Sequence, residues 1–223
     1  MQARIMKKTL KQEKQLKVLL KEFGIPFSVA LGINLQDAKE KEIFKWFLAS
    51  VLFGKRISFR IAAKTYEQFK SCNVLTPKAI ANTGWDGLVQ ILDDGGYVRY
   101  DFSTASKLLD LIKELQQRYG TLTELHKRAK NPKDLESRLM HFKGVGPVTV
   151  NIFLRELRVV WKKADPEPLD LVKQEAAKFR IDLNKFNTKT KTFVKLEAAL
   201  IRSSKQKKDS SAHRSTPCSR TTI

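Results

Sequence analysis

Apolar residues recur along this chain every three or four positions, and over no useful length every second one. In "KKTLKQEKQLKVLLKEF" the residues Leu16, Leu19, Leu20 and Phe23 form one stripe with Lys and Gln opposite, the pattern of an amphipathic helix. "GIPFSVALGIN" breaks it. "DAKEKEIFKWFLASVLFG" is apolar nearly all round from Ile43 to Phe53, which predicts a central, buried helix with Trp46 in the core. Asp37 is its expected N-cap and Gly54 its expected C′ residue.

Further helices follow in the same manner. "SFRIAAKTYEQFK" is capped by Ser58, and "TPKAIANTG" and "WDGLVQILDDGG" are short segments bounded by Thr-Pro and Gly. "DFSTASKLLDLIKELQQRYG" carries Ala105, Leu108, Leu109, Ile112, Leu115 and Tyr119 on one face and stops at Gly120. Thr121 with Glu124 three residues on reads as a capping box, and Asn131-Pro132 as a cap followed by a first-turn proline. After a glycine loop, "VTVNIFLRELRVVW" places Val150, Phe153, Leu154, Leu157 and Val160 on a core face. Two more helices are expected in "DPEPLDLVKQEAAKF" and "KTKTFVKLEAALIR", and the polar run from Ser203 reads as a disordered tail. The class is therefore all-α, and 223 residues suffice for one large domain or two small subdomains sharing a core. Residues 1–40 form an N-terminal segment packing with the C-terminal helices, and 41–160 a central subdomain. Residues 161–202 complete the second subdomain, and 203–223 are the tail.

Charge adds a partner to this picture. The chain holds 43 Lys+Arg against 23 Asp+Glu, a net +20, and such an excess points to a polyanion. The first 21 residues carry +6 and the last 23 carry +5, which leaves +9 for the body between them. Two cysteines exclude a disulfide framework and a four-cysteine zinc site or iron–sulfur cluster within the chain, and three histidines in all argue against a histidine-built metal centre. No metal or cofactor is expected. Neither a transmembrane run nor a signal-peptide core is visible, which predicts an intracellular protein in cytoplasm, nucleoid or nucleus with no membrane partner.

The candidate chemistry begins at "LESRLMHFKGVGPVTVNIFLREL", read as helix, tight loop, helix. Gly144 and Gly146 permit positive φ and close approach, and Pro147 suits the first turn of the second helix. The free N–H groups of that helix start would bind a phosphate with the help of the helix dipole, and Lys143 adds a point charge. A glycine turn between two helices is the plainer alternative for such a short motif.

The loop resembles the helix–hairpin–helix of the endonuclease III-like DNA glycosylase superfamily, whose pattern is roughly Leu-Pro-Gly-Val/Ile-Gly-x-x-Thr-Ala. It stands here as Phe142-Lys143-Gly144-Val145-Gly146-Pro147-Val148-Thr149-Val150. "FLASVLFGKRIS" is similar to the family's buried helix that ends in a DNA-inserting loop, and the likeness covers about residues 40–185. It implies a cleft between two helical subdomains and a monomer acting on double-stranded DNA that holds a damaged or mismatched base. It implies phosphate contacts from Lys143, Gly144, Val145, Gly146, Val148 and Thr149, and an inserting loop at Gly54, Lys55 and Arg56. Tyr97, Tyr100 and Trp85 are the pocket candidates for a flipped base.

Two departures shape the expected activity. Strand-cutting members place a lysine two residues after the second hairpin glycine, where this chain has Val148, which cannot form a Schiff base. The branch implied is cluster-free and monofunctional, hydrolysing the N-glycosidic bond and leaving the strand uncut. Members of the superfamily use an aspartate some 20 residues beyond the hairpin; Asp165 is the first candidate and Asp170 the second. Asp165-Pro166 also reads as a helix N-cap or a simple turn. The alternatives are a DNA-binding protein that keeps the fold without catalysis, and a glycosylase/lyase using a displaced lysine such as Lys143 or Lys163.

Overall fold

A computed structural model describes the backbone of residues 2–212, with side chains described over 13–205. Among the described residues every regular element is a helix, as the three-to-four-residue periodicity requires. The chain divides into two units: one holds the residues up to Pro26 and from Pro168 onward, the other Phe27–Glu167. The division thus falls at Pro26 and Glu167, where the sequence suggested 40 and 160.

In the first unit, α1 (Gln2–Phe23) and α10 (Asp170–Lys178) both pack against α11 (Lys191–Ala212), with a 3₁₀ turn at Leu183–Lys185 between the latter two. α11 continues well past the expected boundary. Ser203 and Ser204 are buried and return their hydroxyl protons to the carbonyls of Leu200 and Ile201, so the polar stretch begins as helix and not as tail. The rest of the expected tail, residues 213–223, lies outside the described residues.

The second unit is built around α3 (Glu40–Phe53), in which nine consecutive or near-consecutive residues from Ile43 to Leu52 are buried. α2 (Phe27–Ala30) precedes it, and α4 (Phe59–Ser71), α5 (Pro77–Asp94), α6 (Asp101–Arg118), α7 (Leu122–Arg128), α8 (Pro132–Met140) and α9 (Pro147–Leu157) follow. α9 lies along α3, with the Trp46 indole N–H donating to the Phe153 carbonyl at 3.0 Å and the Phe47 and Phe153 rings 4.9 Å apart. Two carboxylates from distant sequence cap short helices. Glu156 accepts from the Phe27 and Ser28 amides, and Glu40 from the Leu122 and Thr123 amides. Sequence cannot show such long-range caps, because the acceptor is 80 to 130 residues from the helix it closes.

Local caps follow the sequence in most places. The side chains of Ser58, Thr76, Thr121 and Asn131 each accept from the amide three residues on. Asp37 does not cap α3: Lys39 holds that position without a side-chain bond, and Asp37 pairs with Lys39 at 3.5 Å. The two short segments expected from 77 to 94 run on as α5, with a break at Gly84, where φ is 69°. Gly54 ends α3 at φ −73°, an ordinary right-handed value, so it is not there for backbone freedom. Its requirement is space, because the Thr149 side chain lies where a Cβ would stand.

Candidate nucleic-acid interface and active site

The hairpin joins α8 to α9 with Gly144 in the left-handed region, at φ 89°, where a side chain is strained. Val145 at its apex is buried and its amide donates to the Phe142 carbonyl at 3.0 Å. It therefore plugs the turn and has no free N–H for a ligand, which removes it from the expected phosphate contacts. Gly146 is the N-cap of α9 and Pro147 occupies its first turn. Among the described residues the amides of Gly146, Val148 and Thr149 have no acceptor, the condition of a helix start ready for an anion.

The end of α3 completes the interface. Gly54 lies so close to the Thr149 side chain that a Cβ has no place between them. That contact buries Thr149, leaving only its backbone for a ligand. Gly54, Lys55 and residues 140–149 line a groove of about 470 Å³. The Lys55 ammonium donates to the Gly144 carbonyl at 3.2 Å, and the stem of Lys107 on α6 packs over the same glycine. Burial first, and then the charge of Lys107, pull the Lys55 amine below the usual lysine range. Lys55 is thus folded back on the hairpin, and of the expected inserting loop Arg56 remains exposed. Lys143 is also exposed and pairs with Asp110 at 3.1 Å. Val148 is 49% exposed, standing on the wall of the groove.

The two aspartates have different surroundings. The fully buried Arg158 guanidinium holds the Asp165 carboxylate and also donates to the Pro166 carbonyl. Asn151 donates to the Glu167 carbonyl at 2.7 Å, so three hydrogen bonds tie residues 165–167 to α9 and its C-cap residue Arg158. No helix begins there, and the N-cap reading of Asp165-Pro166 fails: α10 starts at Asp170, after Leu169. Asp170 is exposed in the first turn of α10, and among the described residues its carboxylate has no hydrogen-bond or ion-pair partner. Glu136 on α8 faces the Arg158 group. Burial pushes its carboxyl above the usual range, Asp165 and Glu167 add to that push, and Arg158 and Lys133 oppose it.

The aromatic candidates separate. Tyr97 is fully buried, its hydroxyl donating to the Leu52 carbonyl at 2.6 Å and its phenol pushed up by burial, so it is a core residue and not a pocket wall. Tyr100 is half-buried with Arg99 over its ring. Trp85 is 41% exposed just after the Gly84 break, its indole N–H donating to Ser106 and its ring against that of Phe102. Sequence reading missed Arg158, Lys107 and Glu136. A charged residue on an apolar helix face, such as Arg158 in "FLRELRVVW", is the one signal that could have been used, since a buried charge requires a partner. Among the described residues no group of three or more His, Cys, Asp or Glu could hold a metal, and no helix is long and apolar enough to cross a membrane.

No family model matches the chain, and a search of curated proteins finds no match. Among solved structures, 3-methyladenine DNA glycosylase (MagIII) of H. pylori bound to 1,N6-ethenoadenine is similar over 88% of this chain and 98% of that one, at 16% identity and a TM-score of 0.49.

Proposed function

We propose that this protein binds duplex DNA through the hairpin and hydrolyses the N-glycosidic bond of a damaged or mismatched base turned out of the helix. The observation that carries the reading is the start of α9. Three unanswered amides, at Gly146, Val148 and Thr149, open on a groove that Lys55 also lines. Donors and charge on one wall suit a phosphodiester, and they read backbone, not sequence. The net charge of +20 supplies the long-range attraction.

The chemistry falls to a carboxylate, because Val148 offers none at the position where strand-cutting relatives carry lysine. Cleavage of the base–sugar bond develops positive charge on the sugar, which a carboxylate stabilises while it aligns water. Asp170 is the better choice of the two aspartates. It stands exposed at a helix start, where the dipole favours a negative side chain, whereas Asp165 is spent on Arg158. Water is then the nucleophile, and the sugar–phosphate strand stays joined. Arg56, exposed at the end of α3, would fill the gap left by the base, with Tyr100 and Trp85 as the aromatic candidates for holding it.

The capture of Asp165 by Arg158 also favours a second reading, a DNA-binding protein that keeps the clamp without the chemistry. A panel of duplexes carrying uracil, hypoxanthine, alkylated or oxidised bases separates the two. Hot alkali after incubation reveals abasic sites that a hydrolytic enzyme leaves uncut. Release from at least one lesion supports the enzyme; binding without release across the panel supports the second reading.

A further inference from the structure

A second cationic surface lies beside the hairpin and takes no part in the site described so far. Arg118 closes α6, Arg128 closes α7 and Arg138 lies in the last turn of α8, and all three converge on Tyr119. Their guanidinium carbons stand 5.5, 5.9 and 6.0 Å from the centre of its ring. That ring is buried, and it meets the ring of Phe142, the residue before Lys143, at 6.2 Å between centroids. Each guanidinium is anchored by one bond. Arg118 donates to Glu114 at 2.7 Å, Arg128 to the Arg118 carbonyl at 2.8 Å, and Arg138 to Asp134 at 3.0 Å. For Arg118 and Arg128 that bond occupies a single terminal nitrogen, and among the described residues their other N–H donors have no acceptor.

Positive charge is in surplus here. Residues 118–138 hold six Lys and Arg against three Asp and Glu. Of those three acids, Glu136 faces Arg158, and Glu124 and Asp134 are paired with Lys127 and Arg138. Arg128, Lys130 and Lys133 are exposed and have no ion pair among the described residues. Like charges gathered in this way repel one another until an anion joins them. Arginine at the three central positions presents planar forks that match phosphate oxygens in pairs. The surface is also continuous with the groove. The Glu114 oxygen that accepts from Arg118 lies 3.5 Å from the His141 ring, and His141 lines the groove. A DNA strand carries a phosphate about every 3.4 Å of helix axis, so a strand seated in the groove reaches Arg118 within a few nucleotides.

We propose that Arg118, Arg128 and Arg138 form a second backbone-binding surface, which holds DNA phosphates flanking those at the hairpin. The inference rests on the duplex binding proposed above and is independent of the hydrolysis. Stacking on Tyr119 fixes the guanidiniums in place before DNA arrives. The contacts go to phosphate and carry no sequence preference.

The test uses the full chain and an undamaged duplex, with affinity read by fluorescence anisotropy over a range of salt. Arg118→Gln/Arg128→Gln changes two exposed positions and should unfold in urea with the parent. Its plot of log affinity against log salt should be shallower by about two phosphate contacts, and its affinity near 0.1 M salt lower by more than about tenfold. Lys64→Gln/Lys78→Gln removes the same charge from exposed positions on α4 and α5 and should leave the slope unchanged. The parent slope in the arginine variant, or an equal loss in the lysine variant, overturns the proposal. So does a loss that disappears in a Lys55→Ala background, because contacts to separate phosphates add. Decaglutamate is the second probe. If the arginine variant loses that peptide while keeping the duplex, the surface takes an acidic protein and the proposal fails. If no lesion releases its base while the slope falls as expected, the hydrolysis is refuted and the second surface stands.

Discussion

Gly54, which ends α3, lies flush against Thr149 in the first turn of α9, with no space for a Cβ between them. This contact joins the core helix to the first turn of the hairpin helix, where the proposed phosphate site lies. Because the φ of Gly54 is −73°, alanine there meets no backbone strain, and the whole cost is steric. Gly54→Ala should lose about 1–3 kcal/mol by urea denaturation, as overpacking does. Gly54→Ala/Thr149→Ser should not recover that stability, since serine retains the hydroxyl the new Cβ meets first; Gly54→Ala/Thr149→Ala, which removes it, should recover stability in part. Full stability in Gly54→Ala would show that the two helices are not in register as described.

Gly144 makes the opposite case. Its φ of 89° disfavours any side chain, and the Lys107 stem occupies the space a Cβ would take. Gly144→Ala is expected to cost about 1–2 kcal/mol from the backbone conformation, to displace the Lys107 stem and to disturb the bond from Lys55 to the residue-144 carbonyl. DNA affinity, measured by fluorescence anisotropy, should fall more than in Lys143→Ala, whose exposed charge is already shared with Asp110.

Salt should report the number of phosphates held. The plot of log affinity against log salt is expected to have a slope of about −0.9 per phosphate neutralised, and Lys55→Ala should make it shallower by about one contact. Lys55→Arg should keep the parent slope. A slope near zero for the parent would remove phosphate binding from the account.

The depressed Lys55 amine gives the affinity a pH dependence. In the free protein the proton leaves Lys55 below the usual lysine range, and a bound phosphate pulls that value back up. Binding therefore takes up a proton between the two values, and affinity falls as pH rises through the free-state value. For folding the sign is reversed: the folded amine binds fewer protons than the unfolded one in this window, so the Lys55 contribution to stability grows as pH rises. Lys55→Ala should abolish the alkaline fall in affinity that the parent shows before ordinary lysines titrate.

Glu136 gives a second titration, on the acid side. Its carboxyl is raised above the ordinary 4.5 by burial, helped by Asp165 and Glu167 against Arg158 and Lys133. The folded state holds the proton longer than the unfolded state, so the stability from this group is present at low pH and lost as pH rises through the folded value. Glu136→Gln should remove that loss, and its stability relative to the parent should rise with pH across the same window in urea titrations.

The parts of the fold that sequence revealed are those decided within a few residues. Ser58, Thr76, Thr121 and Asn131 sit at caps that their own chemistry specifies, and Gly144, Gly146 and Pro147 spell the hairpin. Asp165-Pro166 carried the same local signal and was four residues early. The buried Arg158 recruits that carboxylate across the fold, and α10 begins at Leu169-Asp170 without a side-chain cap. Lys55 reads as part of a DNA-inserting loop, because nothing near it in sequence indicates that α6 brings Lys107 alongside or that its amine turns back onto the Gly144 carbonyl. Gly54 read as a left-handed helix end, since only the approach of α9 shows that it is needed for its size.

The central claim is that the protein hydrolyses the base–sugar bond with the carboxylate of Asp170, and one comparison tests it most directly. Base release from the lesion panel, scored after hot alkali, is measured for the parent, Asp170→Asn and Asp165→Asn, alongside the affinity of each for the same duplexes. The account predicts release by the parent, none by Asp170→Asn at unchanged affinity, and continued release by Asp165→Asn in a protein destabilised by about 1–3 kcal/mol through the loss of the Arg158 partner. Release that survives in Asp170→Asn, or no release by a parent that binds every duplex, would contradict it.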